Sequence, residues 1–112
     1  MLPKLKRLNL KKDFKWVVSG KKIDSKYAKL FIRIGDNLNP RIGIAVASSL
    51  FKKATERNRA RRLISAALEP LYEKLPKSIN IVALPKAIID KVKSGDVLLD
   101  LESKLKHEKI IS

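Results

Sequence analysis

A chain of 112 residues with 45% hydrophobic content and no cysteine reads as one domain that closes a core without disulfides or thiolate metal sites, and it fits a reducing, cytoplasmic setting. Its 26 lysines and arginines stand against 11 aspartates and glutamates, a formal net charge of +15, so the expected partner is a polyanion, nucleic acid ahead of an anionic membrane surface. No apolar run approaches the roughly 18 residues of a membrane span, and the basic opening MLPKLKRLNLKK leads into no apolar stretch of the kind a secretory signal needs.

The first element is a short helix in KKDFKWVVSG, with Phe14, Val17 and Val18 at helical spacing and Gly20 at its end. YAKLFIRI (27–34) alternates as a strand: Ala28, Leu30, Ile32 and Ile34 on one face, Tyr27, Lys29, Phe31 and Arg33 on the other. The turn residues GDNLNP lead into RIGIAVA (41–47), a second strand, and so short a connection predicts that the two pair antiparallel. A helix starts near Lys53 and runs through Leu68 on a stripe of Ala60, Ile64, Ala67 and Leu71; Pro70 ends or kinks it. INIVAL (79–84) is a central strand, and Ser94 caps a last helix that turns Leu98, Leu101 and Leu105 inward. The candidate tails are the first few residues and HEKIIS. The named elements run α, β, β, α, β, α, and with room for one extra short strand the fold class is α+β, a two-layer α/β sandwich with three helices and a small mixed sheet, αβββαβα-like, over residues 1–112.

Two features point to RNA. KKATERNRARRLI (52–64) carries Lys52, Lys53, Arg57, Arg59, Arg61 and Arg62 against the single acid Glu56. A solvated helix face alternates its signs; this one barely does. It also lacks the Trp or Phe of a helix that lies on lipid. At about 100° per residue, Arg57 and Arg61 sit beside the apolar stripe, Asn58 and Arg62 form the next row, and Arg59 lies on the far flank. Guanidinium grips phosphate with two bonds at once, and Asn58 adds an amide that reads a base edge or a sugar hydroxyl. The second feature is the strand face Tyr27, Lys29, Phe31, Arg33. Aromatic and basic residues in alternation fit two readings, ordinary core or a platform that stacks bases and holds phosphates.

No catalytic constellation stands out. His107 is the lone histidine, Asp96 and Asp100 suit an acidic helix start, and neither a metal-ligand spacing nor a glycine-rich phosphate loop is present. A nuclease acting on its own lacks the acids and histidines to run it.

RNRARRLI after RIGIAVA resembles the protein subunit of bacterial ribonuclease P, a family with an Arg-Asn-Arg motif, here Arg57, Asn58 and Arg59, followed by Arg61 and Arg62. The strand Arg41–Val46 and the opening RLNLKKDFKWVVSGKK resemble the family's corresponding stretches, so the likeness covers nearly the whole chain in order. The departures are local. The family's Ser-Lys-Lys and Gly between strand and helix become Ala47 to Lys53, one residue longer; its second aromatic of the opening helix is Val18; its later basic residue is absent at Ser65 to Ala67. The resemblance implies a sandwich with a left-handed crossover, an Arg-Asn-Arg helix that binds a catalytic RNA, and a cleft between that helix and the sheet for the single-stranded 5′ leader of precursor tRNA. It implies endoribonuclease activity as a holoenzyme, in which the RNA with magnesium cuts the phosphodiester and the protein supplies neither catalytic residue nor cofactor. Ribonuclease P RNA is then expected at Lys52, Lys53, Arg57, Asn58, Arg59, Arg61 and Arg62, and the leader at Phe14, Tyr27, Lys29, Phe31 and Arg33. The competing reading is a structural RNA-binding protein, such as a ribosomal protein or RNA chaperone. It explains the charge but not the ordered motifs.

Overall fold

The structure, a computed structural model, describes residues 6–111 and leaves the Asp90 side chain undescribed; the first five residues of one candidate tail and Ser112 of the other lie outside it. Helix α1 (Leu10–Val18) starts at Asn9, whose side chain accepts from the Lys12 amide at 3.3 Å, one of the orphan donors of a first helical turn. Then come β1 (Lys21–Asp24), β2 (Ala28–Ile34), β3 (Arg41–Ile44), α2 (Ala54–Leu68), β4 (Ile79–Pro85) and α3 (Ser94–His107), with 3₁₀ turns at Glu69–Lys74 and Ala87–Lys91. Pro70 falls just where α2 tightens into the first of these turns, because it has no amide to give the carbonyl four residues back.

The four strands form one sheet in the order β1-β2-β4-β3. β4 runs antiparallel to β2 and parallel to β3. The expectation that β2 and β3 pair is therefore corrected. They do run in opposite directions, but β4 lies between them. The near-continuous apolar run of INIVAL explains why: it is apolar enough to be covered on both faces, which suits the centre of the sheet better than an edge. β3 is also shorter than 41–47, although the Ala45 amide still donates to the Ala83 carbonyl at 3.0 Å.

The main core lies between the sheet and the pair α2, α3. Leu30, Ile32, Ile42, Ile79 and Ile81 meet Ala60, Ile64, Ala67 and Leu68 of α2 and Val97, Leu101 and Leu105 of α3. On the opposite face α1 covers a smaller cluster, Leu8, Val17 and Val82, with Leu10, Phe14, Val18, Phe31, Ala45 and Leu84 around it. Gly43 permits this approach, since a Cβ there would stand 2.6 Å from the Leu10 side chain.

Two helix ends differ from expectation. Lys93, not Ser94, takes the N-cap position of α3, and Ser94 is its first helical residue. The HEKII stretch is not a tail: the Ile110 amide donates to the Leu105 carbonyl and the Lys109 amide to that of Lys106, a Schellman closure, and Ile111 is buried in the main core. Lys109 holds φ 60° there, a left-handed conformation that disfavours a Cβ by about 1 kcal/mol. Lys109→Gly should therefore raise the thermal midpoint by a few degrees, read by circular dichroism.

Candidate RNA-binding surfaces

The charge of the arginine helix crowds into Glu56 to Arg62, with no basic residue in its last turn. The one acid of the run does not offset it. Glu56 turns back to accept from the Lys53 amide at 3.1 Å and so closes the helix start. The six cations divide by role. Arg57 is half-buried and donates to the carbonyls of Phe51 and Lys52 at 2.9 and 3.0 Å. It clamps the loop that precedes α2, and Phe51, buried in the main core, anchors the same loop. Arg61 donates to Asn58 Oδ1 at 3.1 Å and lines a cavity of about 150 Å³ with Arg7, Leu10, Gly43 and Ser65. Lys52, Lys53, Asn58, Arg59 and Arg62 are exposed. The surface thus has an exposed tier and an anchored tier, a division that charge alone did not reveal.

The aromatic–basic face lies on the other side of the sheet. Cross-strand register puts Lys22, Phe31, Val82 and Gly43 in one row and Arg33, Asn80 and Arg41 in the next. Phe31 is half-buried beside Phe14 and Leu84, and Lys29 stands exposed next to it. The face is covered by α1, while α2 packs on the reverse, so the Phe31 face does not adjoin the Arg-Asn-Arg helix, and the expectation of a leader surface between that helix and the sheet is corrected. The α1 and α2 sides meet around edge strand β3, where Leu10 and Arg61 line one cavity with Ile42 and Gly43.

Tyr27 does not belong to this face. It precedes β2 and is 8% exposed within the main core, where its amide donates to the Asp100 carboxylate at 3.0 Å. The alternation that pairs it with Phe31 breaks because the chain is still turning at Ser25, whose hydroxyl donates to the Ala28 carbonyl at 2.7 Å. Asp100, read from the sequence as an acidic helix start, ties α3 to this turn. The turn is held from its other side by Lys86, ion-paired with Asp24 at 2.6 Å; the ammonium keeps the Asp24 carboxyl below its ordinary range. Arg33 does lie on the Phe31 face, but its guanidinium is occupied. It donates to the Trp16 carbonyl at 3.2 Å and to Ser19 Oγ at 2.6 Å, and stacks 5.1 Å from the Trp16 ring centroid.

Sheet order, an arginine helix between two parallel neighbouring strands, and an aromatic–basic face on the reverse side of the sheet define a class: small, strongly basic α/β domains that bind RNA. A family model described as Ribonuclease P matches residues 2–109, and the chain belongs to that family. Among curated relatives, the ribonuclease P protein component of Pseudoalteromonas atlantica is 40% identical over 72 residues, 64% of this chain and 59% of that protein. The one from a Pseudanabaena species is 30% identical over 113 residues, 99% of this chain and 97% of its own. The chain thus matches under two thirds of the first relative and nearly all of the second. Among solved structures, the Thermotoga maritima RNase P protein superposes with TM-score 0.79 at 27% identity, covering 90% of this chain and 96% of that one. The Staphylococcus aureus protein superposes with TM-score 0.80 at 18% identity, covering 96% and 98%, a likeness of fold.

Proposed function

We propose that this chain is the protein subunit of a ribonuclease P holoenzyme, acting in the cytoplasm, which assists cleavage at the 5′ end of precursor tRNA while a ribonuclease P RNA with magnesium carries the chemistry. The observation that carries the reading is α2: four arginines crowd into the six positions Arg57 to Arg62, and the one acid of that run, Glu56, is engaged as a cap. An anionic partner that binds across Lys52, Lys53, Asn58, Arg59 and Arg62 relieves that repulsion. Guanidinium and the helix dipole both favour phosphate. Arg57 and Arg61 act in this scheme by shaping the loop and holding Asn58 in place. Among the described residues no group of three or more His, Cys, Asp or Glu side chains is placed to hold a metal ion, and no helix is long and apolar enough to cross a membrane.

The leader is assigned to the face that α1 shares with the sheet, at Phe14, Phe31 and Lys29. The half-buried rings offer stacking surface, and stacking tolerates any base. Phe31→Ala tests the assignment. It removes a contact worth about 1–3 kcal/mol per base, so holoenzyme affinity for a precursor with a long leader should fall roughly 5- to 150-fold. Affinity for a precursor with a very short leader, and assembly with the RNA, should stay near normal. An equal loss on both substrates would remove the leader from this face.

A further inference from the structure

We propose that the leader does not end its contact at Phe14 and Phe31 but crosses over the outer surface of α1 and places a second, more distal base against Trp16; this rests on the leader assignment above. At about 100° per residue, Phe14 and Trp16 lie about 200° apart around α1, one on each flank. Between them, round the solvent side, come Lys11, Lys15 and Lys12 in angular order, all exposed. The helix thus carries an aromatic flank, a lysine crest and a second aromatic flank. A single strand whose bases stack and whose phosphates need cations fits that sequence of groups.

The second flank is an open groove of about 630 Å³ lined by Trp16, Lys12, Asp13, Asp36, Arg41 and Asn80. Trp16 is 38% exposed. One side of its ring carries the Arg33 guanidinium, and Gly35 lets its edge approach the loop, since a Cβ there would stand 2.9 Å from the indole. The loop 35–40, which forms the adjoining wall, is tied down by hydrogen bonds. Asn80, 3% exposed, donates to Asn37 Oδ1 at 2.9 Å; Asn37 donates to the Asn39 carbonyl at 2.7 Å. The Tyr72 hydroxyl donates to the Pro40 carbonyl at 2.7 Å, and burial pushes that phenol above its ordinary pKa.

The mixed lining suits a nucleotide. Indole meets a base face, and Asp13, Asp36 and the amides accept from the amino hydrogens of a base edge. Lys12 and Arg41, both exposed at the rim, take phosphate. A free phosphate or a polyphosphate is disfavoured by the two carboxylates inside.

Trp16 is the chain's only tryptophan and RNA contains none, so its emission in the holoenzyme reports this site alone. The experiment titrates holoenzyme with precursors whose leaders lengthen one nucleotide at a time. Emission should be unaffected by short leaders and quenched once the leader passes a threshold length. Trp16→Leu, which keeps an apolar cover on Gly35, should weaken binding roughly 5- to 150-fold, only beyond that threshold. The Phe31→Ala loss should begin at a shorter leader. Emission indifferent to leader length, or a Trp16→Leu loss equal at all lengths, overturns the crossing. If Phe31→Ala stays leader-selective in that case, the leader assignment itself stands; if neither variant depends on the leader, both readings fall.

Discussion

Alanine at both Arg59 and Arg62 is expected to lower affinity for the RNA subunit by one to several decades while leaving the fold intact. Both side chains are exposed, on the flanks of α2 away from the Ala60, Ile64, Ala67 stripe, so neither fills the core. Each charged hydrogen bond lost removes about 1.5–3 kcal/mol, and about 1.4 kcal/mol is a factor of ten. Removing two clustered cations also relieves repulsion in the free protein, so any change in its thermal midpoint should be small. The contrast with Arg57→Ala is informative. Arg57 is anchored to the Phe51 and Lys52 carbonyls, so its loss should loosen the loop and lower stability together with affinity. Filter binding at fixed salt, beside thermal melts of the free proteins, separates the two behaviours.

The second large effect is Ile81→Ala. Ile81 is fully buried on the central strand, opposite Ile32 of β2 and Ile42 of β3 in one cross-strand row. Truncation there removes packing from three strands at once, in the layer that α2 rests on. An Ile→Ala change in such a site costs about 2–5 kcal/mol, against a whole stability of about 5–15 kcal/mol for a domain of this kind. The midpoint should fall by about 10 °C or more. Ile34→Ala is the control: the same residue type on the same face, but 58% exposed at the end of β2, so its effect should be small. Equal effects from the two would mean that the sheet centre is not where the core is concentrated.

Much of this was legible in the sequence because it is periodic. The apolar stripe of α2, the continuous run of β4 and the leucines of α3 each repeat at the spacing of their element, and each was placed to within a residue or two. What could not be read was which strands are neighbours. A six-residue turn argues for a hairpin, yet β4, far along the chain, displaces the pairing because its two apolar faces need cover from both sides. The misplacement of Tyr27 has a local cause. Alternation was counted one residue into a turn, where Ser25 and Asp100 fix the backbone instead of the strand ladder.

The candidate sites show the same division. Residue type identified the cations of α2, but burial separates the half-buried Arg57 and Arg61 from Arg59 and Arg62 on the exposed flanks. The cleft at Trp16 was missed. Its parts, Trp16, Gly35, Arg41 and Asn80, lie on four separate segments that only the fold unites. A single clue existed: Asn80 is a lone polar residue inside INIVAL, and an amide in a buried strand implies partners or a cavity beside it.

The proposed subunit role meets its most direct test in a cleavage assay. Ribonuclease P RNA is incubated with precursor tRNA at low magnesium, with and without this protein, and the protein is assayed alone. The expected result is slow cleavage by the RNA, strong stimulation at the correct 5′ site when the protein is added, and no product from the protein by itself. Failure to stimulate, or correct cleavage by protein free of RNA, would contradict the account.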